Sequence, residues 1–112
     1  MNHRMLRTVS VVLQLFTLVL MVSVPMYAQD GPALYKTKCA ACHDADGSGS
    51  GAMGKQLGAP DLRSDAVHKK TDAQLNDEIT SGVGQKMPAY KGKLTDDQIK
   101  GLVATIRGLA KK

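Results

Sequence analysis

The chain has 112 residues, with 15 Lys and Arg against 10 Asp and Glu and a net charge of +5. That length allows one domain, and the lysines are mixed with aspartates without interleaved aromatics, which argues against a nucleic-acid surface. Trp is absent, and Tyr35 and Tyr90 are the only aromatics beyond residue 28, so a domain of this size needs something else to complete its core.

Residues 1–28 read as a targeting segment. Arg4 and Arg7 precede an uncharged stretch from Thr8 to Gln29 that is mostly Val, Leu and Met between Val9 and Val24. A basic start, an apolar middle and the small Ala28 predict a secretory signal peptide cleaved after Ala28. The alternative is an uncleaved membrane anchor, because the uncharged span approaches the ~20 residues a bilayer requires. Either places the folded part, residues 29–112, outside the cytoplasmic membrane. Without Arg4 and Arg7 that part has 13 basic and 10 acidic residues, a mild +3.

The first helix of the domain starts at "DGPALYKTKCAACH", with Pro32 in the first turn and Asp30 or Gly31 as cap. Leu34, Tyr35, Lys38, Cys39 and Cys42 then share one side. Residues 44–60, "DADGSGSGAMGKQLGAP", hold five glycines and read as a long irregular loop, a feature usually tied to function or disorder. "DLRSDAVHKK" holds at most a short helical turn.

Two capping boxes follow, Thr71 with Gln74 and Thr95 with Gln98. The first predicts a helix over 72–81, with Leu75 and Ile79 inward and Gly82 ending it. The second predicts a helix over 96–110 whose Ile99, Leu102, Val103, Ile106 and Leu109 form one apolar stripe. Gly101 and Gly108 fall on its other face and cost about 1 kcal/mol each relative to Ala. Between the two runs the extended "GVGQKMPAYKGK". No strand is predicted. The fold class is all-α, three to four short helices and long loops.

Cys39, Cys42 and His43 form Cys-x-x-Cys-His, the pattern of covalent haem attachment in an exported chain. On a helix, residues i and i+3 share a face, so both thiols reach the vinyl groups along one porphyrin edge and His43 meets the iron as proximal ligand. A redox dithiol lacks the expected βαβ setting, zinc lacks four suitably spaced ligands, and a bare disulfide gives His43 no purpose. A haem also supplies the missing apolar bulk. Three side chains compete for the sixth position. Met87, in "QKMPAY", is assigned to it. Met53, ten residues after His43, reads as a small packing hydrophobe, and His68, beside two lysines, reads as surface.

The sequence resembles the small class I c-type cytochromes of the bacterial and cytochrome c6-like kind over residues 30–110. The resemblance lies in "LYKTKCAACH", "MGKQLGAPDL", "GQKMPAY" and "LTDDQIKGLVATIR". It implies the small cytochrome c fold wrapped around one haem c, with Cys39 and Cys42 forming thioethers and His43 and Met87 as axial ligands. Pro60 resembles the proline whose carbonyl accepts the imidazole Nδ1–H. Gly31 and Tyr35 resemble residues where the first helix crosses the last. Thr105 stands where the family usually carries an aromatic, implying a weaker crossing or one made up by Leu34 and Tyr35.

A His/Met-ligated haem has no open position for substrate and exchanges single electrons. The expected function is therefore that of a monomeric electron carrier, not an enzyme. It would work in the periplasm, or be otherwise exported, between redox proteins with acidic docking faces. The alternatives are the electron-entry subunit of a larger oxidoreductase and a ligand-sensing cytochrome with a displaceable sixth ligand.

Overall fold

In the computed structural model the described residues are 2–22 and 30–109, with side chains described through residue 15 in the first stretch. Residues His3–Val22 form α1. The expected cleavage point after Ala28 lies outside the described residues. Among those described, no helix is long and apolar enough to cross a membrane.

Six helical segments follow: α2 (Gly31–Lys38), α3 (Ala40–His43), α4 (Ala52–Leu57), α5 (Asp65–His68), α6 (Asp72–Ser81) and α7 (Asp96–Arg107). The described residues contain no strand, only isolated bridges pairing Val83 with Met87 and Lys91 with Leu94. The all-α expectation holds, with more segments than the three or four expected because the short pieces are separate turns. The first helix breaks at Cys39, where φ −118° and ψ −37° depart from helical values. The supposed loop 44–60 contains α4, opened by extended Gly51 and closed by left-handed Gly58. Glycine favours such an end because it bears no Cβ.

Both capping boxes form. Thr71 Oγ1 accepts from Gln74 N at 3.1 Å and Gln74 Oε1 from Thr71 N at 2.8 Å. The second box repeats this with Thr95 and Gln98 at 3.2 and 2.8 Å. Each satisfies two N-terminal amides that would otherwise lack partners. α6 then spans the predicted residues, whereas α7 stops at Arg107, with Gly108 as its C-cap.

The core is the stripe of α7, namely Ile99, Leu102, Val103 and Ile106, packed with Tyr35, Leu62, Val67, Leu75 and Ile79. Ile99 and Leu102 are 1% exposed, so these two cost most to truncate. The C-terminal end of α7 is tied down by Arg107. Its Nε donates to Asp72 Oδ1 at 2.8 Å, Nη1 to the His68 carbonyl at 3.0 Å, and Nη2 to the Lys70 carbonyl.

Gly101 is not an idle position on the outer face of α7. A Cβ on Gly31 would lie 2.4 Å from the Gly101 carbonyl oxygen and 2.6 Å from Thr105 Oγ1. The helices therefore cross backbone to backbone. Thr105 donates its hydroxyl to the Gly101 carbonyl at 2.9 Å, so the small side chain permits close approach where a large one would fill space.

Candidate functional site

The break at Cys39 turns the chain so that α3 is a separate turn ending on His43. The Cys42 amide donates to the Cys39 carbonyl at 3.2 Å, and the His43 amide to the same oxygen at 2.9 Å. His43 is buried, and its Nδ1–H donates to the Pro60 carbonyl at 3.4 Å. That bond leaves Nε2 as the ring's free lone pair. Burial lowers the imidazole pKa below its ordinary value, against the opposing effects of the Pro60 carbonyl and Asp44. Neutral imidazole is the form that binds a metal.

Cys39, Cys42, His43 and Met87 line one cavity of about 590 Å³, inside the roughly 300–1,000 Å³ usual for cofactor sites. Leu75 and Ile79 from α6 and Leu102 and Ile106 from α7 give it apolar walls. Both cysteines are free. Burial, then the neighbouring Cys42, pushes the unattached Cys39 thiol up to about 11.

Met87 is partly buried against the core. Its backbone pairs with Val83, the two amides donating to the opposite carbonyls at 3.2 and 3.3 Å. A Cβ on Gly82 would sit 2.6 Å from the Met87 carbonyl oxygen, and Gly82 has φ +75°. Gly82 thus ends α6 and also lets the Met87 segment fold back against it.

Tyr90 closes the segment's other end. Its hydroxyl donates to the Lys38 carbonyl at 2.9 Å, a link across 52 positions. It joins the Met87 segment to the end of α2 beside Cys39. Residue patterns did not single out Tyr90 for this task; its place as one of two aromatics in the domain was the available signal. Lys70 and Glu78 also line the cavity and form an ion pair there, a pairing of residues eight apart that no helical spacing announces.

The structure brings Cys39, Cys42, His43, Met87 and the Pro60 carbonyl together at this cavity and leaves two others out. Met53 is 50% exposed on α4 and packs against no core, contrary to its expected packing role, because α4 turns it to solvent. His68 is half-buried rather than a surface residue, and its Nε2 is buried without a hydrogen-bond partner. Arg107 holds the His68 carbonyl inward, and His68 does not line the cavity.

The donor set fits a haem. It offers two thiols at i and i+3, an imidazole whose far nitrogen is already hydrogen-bonded, and a thioether, all around an apolar space. The description "Cytochrome C oxidase, cbb3-type, subunit III" belongs to the family model that matches residues 27–105. The chain is 36% identical over 83 residues to the cbb3-type cytochrome c oxidase subunit CcoP of Azospirillum brasilense, which covers 73% of this chain and 28% of CcoP. It is 35% identical over 88 residues to cytochrome c6 of Leptolyngbya boryana, covering 76% of this chain and 95% of cytochrome c6. Among solved structures, the KustC0563 c-type cytochrome superposes with a TM-score of 0.67 at 34% identity, over 73% of this chain and 99% of that one.

The chain belongs to the c-type cytochrome family. Its cofactor is accordingly haem c, bound covalently. It spans about 28% of the length of CcoP.

Proposed function

We propose that residues 29–112 are a monohaem electron-transfer domain in which Cys39 and Cys42 form the thioethers and His43 and Met87 ligate the iron. The observation that supports this most directly is the convergence of all four side chains on one cavity. When bound, haem c would supply a one-electron couple, and the Met87 thioether, if it held the iron, would raise its potential.

The chain's own groups hold that couple in a fixed environment. The Pro60 carbonyl holds the His43 Nδ1 proton, which sets the tautomer and ring orientation and strengthens the imidazole as a donor. The Val83–Met87 pairing and the Tyr90–Lys38 bond hold the Met87 segment at both ends. Leu75, Ile79, Leu102 and Ile106 keep water away from the cavity's inner wall. If His43 and Met87 both held the iron, the haem would offer no position for a substrate, which supports a carrier rather than an enzyme.

Lys38 and Lys86 are exposed and line the cavity, so redox partners with acidic faces are steered toward it. A periplasmic or otherwise exported location follows from reading residues 1–28 as a signal peptide. The CcoP and FixP relatives are subunits of cbb3-type oxidases, and this supports a second reading, the electron-entry module of a larger oxidase. Isolation from membranes under mild detergent separates the two: a free carrier runs alone, whereas a subunit co-purifies with a large oxidoreductase.

The ligand assignment is tested by visible and near-infrared spectra of oxidised and reduced Met87→Ala beside wild type. Loss of the sulfur-to-iron charge-transfer band, with the thioether-linked haem retained by mass, is the expected result. A band that persists in Met87→Ala overturns Met87 as ligand.

A further inference from the structure

Among the described residues Asp44 is the only non-glycine with positive φ. Its φ of 60° and ψ of 162° fall in a region that is essentially reserved for glycine. It directly follows His43, and conformations of this kind persist only where surrounding contacts over-determine them. Those contacts are present on every polar group of the residue. The Asp44 amide donates to the Ala40 carbonyl at 2.9 Å and closes α3. Its carbonyl accepts the Tyr35 hydroxyl at 2.8 Å and the Gly47 amide at 3.1 Å. Its carboxylate Oδ2 accepts the Gly51 amide at 2.8 Å.

The last bond has consequences for the histidine. Gly51 is the N-cap of α4, and the segment leaving α4 carries Pro60, whose carbonyl receives the His43 Nδ1–H. The same loop is threaded tightly beneath. The Gly49 amide donates to the His43 carbonyl at 3.0 Å, and a Cβ on Gly54 would lie 2.6 Å from the Cys42 carbonyl oxygen. The loop therefore touches the haem-attachment turn on its backbone side and the imidazole on its ring side, with the Asp44 carboxylate joining the two at the start of α4.

We propose that Asp44 is a positioning residue for the His43 imidazole: its carboxylate anchors α4 at Gly51 and thereby holds the Pro60 carbonyl on Nδ1. The inference rests on the reading of His43 as proximal ligand. Its cause is geometric, the acceptor oxygen at that place, rather than the negative charge. A glycine at 44 would adopt the backbone more readily but would release the anchor. An asparagine tolerates positive φ better than most residues and keeps an acceptor oxygen while losing the charge.

The test compares the haem-loaded wild type, Asp44→Gly and Asp44→Asn by three measurements: midpoint potential, thermal midpoint, and NMR exchange of the His43 Nδ1 proton with water in the reduced state. Asp44→Gly is expected to exchange that proton about tenfold faster, through local opening of the loop, and to shift the potential upward as the imidazole becomes a weaker donor. Asp44→Asn should restore most of both. Unchanged exchange and potential in Asp44→Gly, whatever its thermal midpoint, overturn the proposal. Asp44→Asn shifting as far as Asp44→Gly also overturns it, since charge would then be the cause. A wild-type spectrum without histidine ligation would instead defeat the ligand assignment beneath it.

Discussion

Replacing glycine by alanine in a helix ordinarily stabilises a protein, by about 0.4–1 kcal/mol where the backbone suits both residues. At Gly31 the structure predicts the reverse. The new Cβ would lie 2.4 Å from the Gly101 carbonyl oxygen, 2.8 Å from its carbon and 2.6 Å from Thr105 Oγ1. Ordinary carbon–oxygen contacts are about 3.3–3.6 Å, so α2 must lift from α7 by roughly 1 Å. Thr105 cannot simply turn away without giving up its 2.9 Å bond to the Gly101 carbonyl. Overpacking of this kind costs about 1–3 kcal/mol, and at central values the backbone gain of about 0.4–1 kcal/mol offsets only part of that. A net loss of about 1–2 kcal/mol lowers the melting temperature of a domain this size by about 4–16 °C. Gly108→Ala, at the C-cap of α7, is the control. Its Cβ meets nothing nearer than the Thr105 carbonyl at 3.4 Å, so it should gain the usual few tenths to 1 kcal/mol. Thermal unfolding of the two haem-loaded variants, followed by circular dichroism, decides the matter. A Gly31→Ala protein as stable as wild type, or a Gly108→Ala protein that falls equally far, refutes the account of the crossing.

Leu102→Ala removes a side chain that is 1% exposed and lines the cavity shared with Cys39, His43 and Met87, so chemical denaturation should show a loss of about 2.7–5 kcal/mol; a loss below about 1 kcal/mol would contradict its burial. Hydrogen bonds from Arg63, at 2.9 Å from Nε and 3.0 Å from Nη2, hold the Asp61 carboxyl below the ordinary carboxylate range. With a folded pKa below the unfolded one, the stabilisation is present above the ordinary value of about 3.9 and disappears as pH falls through the depressed value. Arg63→Gln should return Asp61 toward the ordinary range in an NMR titration, and an unmoved Asp61 would rule out the arginine as the cause.

Chemistry in this chain is written locally. Cys39, Cys42 and His43 stand out as the proposed haem-attachment site because the spacing of two thiols and an imidazole along one turn is itself the geometric requirement. Thr71 with Gln74 and Thr95 with Gln98 are equally legible, since a capping box is completed within four residues. The inward faces of α6 and α7 follow from their apolar period. Met87 was singled out by its setting in an extended segment between capped helices, and that segment does reach the cavity.

What sequence patterns did not contain is information held between distant positions. Gly101 looks like a cost to helix α7 until Gly31, seventy positions earlier, is seen against its carbonyl. The glycines of 44–60 suggest looseness, yet there the chain passes so close to the Cys42 and Ala59 carbonyls that Cβ atoms at Gly54 and Gly49 would collide with them. His68 beside two lysines looks like surface until Arg107 draws its backbone inward, and Asp44 shows its glycine-like conformation only where Tyr35 and Gly51 hold it. Residue type and spacing pointed to Cys39, Cys42 and His43 as the residues able to attach and meet the cofactor, because their demands are met within a turn of helix. Close approach of backbones and burial of polar atoms were decided by the tertiary structure, because each depends on a partner that the neighbouring sequence does not carry.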